Sequence, residues 1–188
     1  DEKSARLASW LLKEHDEPYF AVLCDQSIDV AVAHVAALRA GKVLVALDPR
    51  EPTKRTSAII ELLGCSAVFS SEPVDQKSNN NRVLSDLFGY EISSREWNIW
   101  NPDDVCWIYF TSGSTGEPKG VPVPYKRRIP NNFMAGNLNP GDKVGITRPV
   151  SFLAGGTALL SSIDSACEIY QYDLAETNAH DLLCSVAE

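Results

Sequence analysis

Short apolar runs alternate with helix-like segments over the first 70 residues of the chain. Each run has the length and apolar character of a buried parallel strand. Strands that alternate with helices in this way pair in parallel through right-handed crossovers. The pattern therefore predicts a β-α-β-α-β unit over 1–70. Its strand runs are 20–24, 43–47 and 67–69, and the helices between them end at Gly41 and Gly64.

The same alternation returns after a polar stretch. Residues 71–103 contain Pro73 and the run Ser78–Asn81, which predict an irregular insertion. Trp97 and Trp100 are expected to pack this insertion onto the core, and a partner surface is the alternative for the pair. Further strands are predicted at 105–110, 143–146 and 168–172, with helices at 153–163 and 176–187. The chain is thus predicted to be a doubly wound α/β protein with a largely parallel sheet, in a Rossmann-like three-layer arrangement.

Charge and composition exclude several classes of protein. The 188 residues carry 17 Lys and Arg against 25 Asp and Glu, a net charge of −8, which disfavours sequence-independent nucleic-acid binding. No apolar run approaches the length of a membrane span, and the first residues lack the apolar core of a signal peptide. We therefore expect a cytoplasmic protein with no membrane span and no nucleic-acid partner.

Cysteine usage agrees with a reducing compartment. The five cysteines are odd in number and widely spaced, without a C-x-x-C pair, which fits neither a disulfide framework nor a zinc site. They are Cys24, Cys65, Cys106, Cys167 and Cys184. His34 is expected to be a packed core histidine, and Asp48 a turn residue. No metal ligands are predicted.

One segment has the composition of a phosphate site. After the strand at 105–110, the residues 111–120 hold three glycines, four serines or threonines, and Lys119. Glycines let a ligand approach the backbone, hydroxyls add donors, and a lysine suits phosphate. The segment is not a Walker A loop, because Lys119 does not directly follow Gly116. Composition alone leaves a flexible Ser/Gly turn as an equal alternative.

The order of residues resolves this alternative. The string Tyr109–Gly120, YFTSGSTGEPKG, closely resembles the signature loop of the adenylate-forming superfamily. This superfamily includes acyl-CoA synthetases, luciferases and the adenylation domains of nonribosomal peptide synthetases. Ala37–Pro49 resembles a second family segment, and its sequence is more similar to amino-acid adenylation domains than to fatty-acyl enzymes. Residues 148–156 resemble a third segment more loosely. The resemblance spans essentially the whole chain.

The resemblance implies ATP-dependent activation of a carboxylic acid or amino acid, which gives an acyl-adenylate and pyrophosphate. The acyl group would then pass to a thiol of CoA or of a phosphopantetheine carrier protein. Magnesium would arrive with ATP. The residues implied to hold the β- and γ-phosphates are Thr111, Ser112, Gly113, Ser114, Thr115, Gly116 and Lys119.

Two departures from the family pattern qualify this expectation. Members often carry a histidine where this chain has Tyr125. The family's adenine and ribose motifs, hinge and catalytic lysine lie downstream of 188, so 1–188 matches the N-terminal portion of an adenylation domain, with 104–188 as the part that bears the phosphate loop. We expect no catalytic residue in these 188 residues and no activity from them alone. The alternative is a non-catalytic, truncated module that binds phosphate or a protein partner.

Overall fold

The computed structural model describes residues 2–74, 80–93, 97–112, 117–128 and 138–172. The helices are α1 (Glu2–Glu14), α2 (Ile28–Ala40), α3 (Thr53–Leu63), α4 (Leu84–Leu87) and α5 (Leu153–Asp164), with a 3-10 turn at Tyr125–Arg127. The strands are β1 (Tyr19–Leu23), β2 (Val43–Leu47), β3 (Ala67–Ser70), β4 (Asn80–Val83), β5 (Val105–Ser112), β6 (Pro118–Pro124), β7 (Lys143–Ile146) and β8 (Glu168–Gln171). The helix predicted at 176–187 lies outside the described residues.

A six-stranded sheet organises most of these elements. Its strand order is β4-β3-β1-β2-β5-β6, and all neighbours are parallel except β5 and β6. A second, two-stranded parallel sheet joins β7 to β8 through α5. The largely parallel α/β fold is therefore confirmed. Strand β6 was not predicted, because three of its seven residues are prolines. It lies at the sheet edge, where prolines are tolerated.

Helices pack on both faces of the large sheet, as in a doubly wound fold. Because side chains alternate along a strand, neighbouring residues enter different cores. Phe20 and Val22 of β1 pack with α1 and α2, whereas Ala21 and Leu23 pack with Ile59 of α3. The same alternation holds in β2, where Leu44 and Ala46 face the first core and Val45 and Leu47 face the second.

The caps predicted for the first helices are present. The Ser27 hydroxyl accepts a hydrogen bond from the Val30 backbone N–H at the start of α2. Gly41 and Gly64 follow α2 and α3 with φ of 68° and 67°, the left-handed conformation that favours glycine. Local sequence therefore sets where these two helices end.

The region 71–103, predicted as irregular, contains β4 and the single helical turn α4. Asn81 of β4 donates to the Ser70 hydroxyl at 3.0 Å, so a polar strand can pair at the sheet edge. The packing role of the two tryptophans is confirmed. Trp100 Nε1 donates to the Leu38 carbonyl at 2.8 Å, and the Arg39 guanidinium lies 5.1 Å from the Trp97 ring.

The cysteines in the described ranges are free thiols, and Cys184 lies outside those ranges. Burial raises the pKa of Cys106 to about 11, so its thiol stays protonated near neutral pH, as expected of an inert core residue. Within the described part of the chain, no three His, Cys, Asp or Glu side chains form a metal-binding group. Every helix in that part is too short or too polar to cross a membrane.

His34 is a buried titratable residue of the first core. Its side chain is 3% exposed, and Nδ1 lies 2.9 Å from the Val30 carbonyl oxygen. Nε2 is buried and has no hydrogen-bond partner in the described structure. A proton on Nδ1 donated to the carbonyl leaves Nε2 unprotonated, so the buried ring is neutral. Burial lowers the pKa of His34 to about 4.

We predict that stability falls as pH falls from 6.5 to 4. The unfolded chain binds a proton at His34 near its ordinary pKa, whereas the folded chain resists it, so acid favours unfolding. The free energy of unfolding should drop by about 3 kcal/mol over this window on account of His34. His34→Met should flatten the dependence, measured by urea unfolding at several pH values. An equally steep loss of stability in His34→Met would contradict the prediction.

Candidate functional site

Strand β5 runs past the predicted end at residue 110 and turns back as a hairpin. Thr111 and Ser112 remain in the strand, and β6 pairs with them antiparallel. In this register Thr111 lies opposite Lys119, and Ser112 lies opposite Pro118. Two of the residues expected to hold phosphate, Thr111 and Lys119, therefore face each other across the base of a hairpin.

Of the other expected phosphate residues, Ser112 ends β5, and four follow in the segment between β5 and β6. Gly113, Ser114, Thr115 and Gly116 lie outside the described residues, as does the side chain of Ser112. Thr111 and Lys119 are both exposed at the hairpin base. A ligand can therefore reach both residues from solvent.

The hairpin base lies at the edge of the sheet where ligands are expected. Strands β2 and β5 are parallel neighbours, with Leu44 opposite Trp107 and Ala46 opposite Tyr109. Their carboxyl ends therefore point to the same edge, and Thr111 follows at that edge of β5. In open α/β sheets ligands bind beyond the carboxyl ends of the strands.

Close packing fixes the root of the hairpin. Phe110 pairs with Gly120 across the two strands. A Cβ added to Gly120 would lie 3.2 Å from the Phe110 ring and 3.4 Å from the Ile108 side chain, so a larger residue would displace the ring. Phe110 itself packs against the core beneath α3. The hairpin is thus anchored to the sheet at its base.

A cleft opens beside this base. Its walls come from the end of β2, the N-terminal half of α3, the ring of Phe110 and the residues that precede α5. The polar and aromatic members of the lining are Asp48, Glu51, Arg55, Thr56, Phe110, Ser151 and Phe152. Arg55 Nε lies 3.5 Å from Glu51 Oε2, so these two opposite charges compensate each other.

Asp48 carries most of the hydrogen bonds in the cleft. Its carboxylate accepts from the Arg50 side chain at 2.8 and 2.9 Å, from the Arg50 backbone N–H at 2.9 Å, and from the Ser151 hydroxyl at 3.2 Å. Burial alone would raise its pKa, but the hydrogen bonds and charge of Arg50, together with the Ser151 hydrogen bond, lower the pKa below its ordinary value. Asp48 is therefore ionised at neutral pH. The turn role expected for it is present in its bond to the Arg50 backbone.

Tyr125, the departure from the family pattern, takes part in a stack. The Tyr125 ring lies parallel to the Trp100 ring, with centroids 5.7 Å apart. The Arg128 guanidinium lies 3.9 Å from the centroid of the Tyr125 ring. Lys126 is paired with Asp103, and Arg128 with Asp164. Two of the three cations in the basic run 126–128 therefore have acidic partners.

The contact between Asp48 and Ser151 was not anticipated from the sequence. The two residues are 103 positions apart, and each belongs to a separate strand-helix unit. No local pattern connects them. The resemblance of 37–49 and 148–156 to two family segments was the one available signal, because it singled out both stretches without relating them.

A family model described as AMP-binding enzyme matches residues 1–184. Phosphinothricin tripeptide synthetase PhsC of Streptomyces viridochromogenes is 33% identical over 137 residues, covering 67% of this chain and 13% of that protein. Surfactin synthase subunit 2 of Bacillus subtilis is 29% identical over 157 residues, covering 80% of this chain and 4% of that protein. The chain therefore spans a small part of these relatives.

Solved structures share the fold. The o-succinylbenzoate CoA synthetase MenE of Bacillus subtilis, in complex with the acyl-adenylate intermediate OSB-AMP, has a TM-score of 0.80 at 18% identity over 98% of this chain and 51% of that chain. ATP-bound MatB of Rhodopseudomonas palustris has a TM-score of 0.82 at 17% identity over 100% of this chain and 41% of that chain. The chain thus corresponds to 51% of the first of these chains and 41% of the second.

Proposed function

The chain belongs to the AMP-binding enzyme family, and from this premise we propose that it forms the N-terminal part of an ATP-dependent enzyme that activates a carboxylic acid. The product would be an acyl- or aminoacyl-adenylate, with pyrophosphate released. Similarity to peptide synthetases and to adenylating enzymes bound to an acyl-adenylate or to ATP supports this class of reaction. The remainder of the catalytic machinery would come from outside these 188 residues.

We propose that the β5–β6 hairpin holds the β- and γ-phosphates of ATP. The observation that carries this proposal is the pairing of Thr111 with Lys119 at the carboxyl edge of the parallel sheet. It brings a hydroxyl and a cation to the two sides of one turn. The proposed ligand residues are Thr111, Ser112, Gly113, Ser114, Thr115, Gly116 and Lys119.

In this reaction the protein mainly positions the reactants and stabilises charge. One oxygen of the acid's carboxylate forms a bond to the α-phosphorus of ATP. The bond from that phosphorus to the oxygen shared with the β-phosphate breaks, and pyrophosphate leaves with the electron pair. The leaving pyrophosphate gains negative charge, which the Lys119 ammonium and the hairpin donors would stabilise.

Magnesium fits this site as a companion of ATP. Hydroxyl groups and an ammonium suit phosphate oxygens, whereas a resident Mg²⁺ site requires carboxylates. No metal-binding group of side chains occurs in the described ranges. When bound with ATP, Mg²⁺ would neutralise phosphate charge, held largely by the phosphates themselves.

The relatives also suggest which acid is activated and which thiol accepts the acyl group. The peptide synthetases among the relatives support an amino acid as substrate and a phosphopantetheine carrier protein as acceptor. The fold is equally shared with CoA synthetases, which supports CoA as the acceptor. We propose a cytoplasmic setting, consistent with the free thiols.

Exchange of pyrophosphate into ATP tests the function. The protein encoded by the whole reading frame, supplied with ATP, Mg²⁺ and pools of amino acids or of aryl and aliphatic acids, should exchange label with at least one pool. Deconvoluting that pool would identify the acid. A folded protein that binds ATP but exchanges with none of the pools would favour the non-catalytic module instead.

A further inference from the structure

Asp48 lies near the level of the phosphate hairpin. The parallel register of β2 and β5 places Ala46 opposite Tyr109. Asp48 and Thr111 each come two residues after this pair, so they occupy equivalent positions along the two neighbouring segments. Asp48 is not part of the hairpin, and no hydrogen bond joins it to Thr111 or Lys119 in the described structure.

One of its hydrogen bonds connects distant parts of the fold. The bonds from Arg50 stay within the turn after β2. In contrast, Ser151 lies two residues before α5 and 103 residues after Asp48, and its hydroxyl donates to Asp48 Oδ2 at 3.2 Å. The Asp48 side chain is 10% exposed, so this bond lies largely away from water. A hydrogen bond to a buried ionised group is stronger than one between neutral groups.

Ser151 leads directly into one wall of the cleft. It is 5% exposed, and the next residue, Phe152, begins the turn that α5 continues. Phe152 keeps 45% of its surface exposed, although an aromatic ring of this size is usually buried. Phe110, at the root of the hairpin, lines the same cleft. Fixing Ser151 therefore fixes Phe152 relative to the hairpin.

We propose that Asp48 is a positioning residue for adenylation, which acts through Ser151. By holding the start of α5 to the end of β2, it sets the separation between the Phe152 wall and the phosphate hairpin. A substrate bound against the Phe152 wall and the ATP phosphates bound at the hairpin would then be held at reacting distance. The proposal rests on the proposed function, because it assumes that ATP phosphates occupy the hairpin.

The two partners of this bond give a defined test. Asp48→Asn, Ser151→Ala and the double variant are compared in pyrophosphate exchange with the active acid, with rates divided by the folded fraction. Each single variant should lower kcat about 10-fold, because small misalignments of reacting groups are costly. The KM for ATP should stay within about 2-fold, since neither residue hydrogen-bonds to Thr111 or Lys119 in the described part of the chain. The double variant should be no slower than the slower single variant, because both changes break one link.

Two further variants separate positioning from general damage. Ser151→Thr keeps the hydroxyl and should retain kcat, whereas Ser85→Ala removes an exposed serine from α4 and should change nothing. Wild-type kcat in Ser151→Ala, multiplicative losses in the double variant, or a rise in KM for ATP without a fall in kcat would each overturn the inference. Failure of the wild-type protein to exchange with any acid would instead refute the proposed function.

Discussion

Replacing Lys119 with alanine should slow adenylate formation by about 10- to 100-fold, or roughly 1.4 to 2.7 kcal/mol of activation free energy. Lys119 is exposed and pairs with Thr111 at the base of the hairpin. In the proposed site its removal would take a cation from the leaving pyrophosphate. The side chain contributes nothing to the buried core, so folding should be unaffected. The measurement is pyrophosphate exchange in the protein encoded by the whole reading frame.

A matched lysine separates a local effect from a change in net charge. Lys54 is exposed on α3, and Lys54→Ala lowers the charge by the same amount. It should leave the exchange rate within about 2-fold of wild type. Lys119→Arg should retain part of the rate, because the charge remains while the geometry of the donor changes. Unchanged exchange in Lys119→Ala would remove this residue from the site.

The second large effect concerns stability. Gly155→Ala or Gly156→Ala should each lower the free energy of unfolding by about 3 kcal/mol, although alanine is normally the better helix former by about 1 kcal/mol. A Cβ at Gly155 would lie 2.2 Å from the Pro149 carbonyl oxygen, a backbone atom. A Cβ at Gly156 would lie 2.0 Å from the ring of Trp107, which is 2% exposed in β5.

Gly89 is the control for this stability prediction. A Cβ added there meets no atom within 4 Å, so Gly89→Ala should change stability by no more than about 0.5 kcal/mol. Guanidinium unfolding of the three variants, with fluorescence and circular dichroism as probes, measures the difference. If Gly156→Ala were as stable as Gly89→Ala, the contact between α5 and Trp107 would not hold as described. That contact ties α5 to the strand that carries the hairpin.

Local sequence patterns predicted the buried strands and the helix ends. The apolar runs of β1 and β2 and the glycines after α2 and α3 carry their own signals, because burial and chain reversal act on adjacent residues. Strands β4 and β6 escaped prediction. Asparagines in β4 and prolines in β6 oppose strand formation, and only their position at opposite edges of the sheet permits it.

In the candidate site, too, the sequence identified residues but not the tertiary contacts between them. The order of residues 111–120 resembles a family signature and so identified the segment, whereas their composition alone left a phosphate site and a flexible turn as equal alternatives. The pairing of Thr111 with Lys119 depends on β6 and was therefore not predicted. The bond between Asp48 and Ser151 is a tertiary contact, set by how α5 packs against the large sheet, and no local pattern encodes it.

A crystal structure of the protein encoded by the whole reading frame with ATP and Mg²⁺ would test the central claim most directly. We predict that the β- and γ-phosphate oxygens lie within about 3.2 Å of donors in the hairpin turn and of Lys119 Nζ. We also predict that Asp48 remains bonded to Ser151 in that complex. ATP bound with its phosphates away from the hairpin would contradict the account.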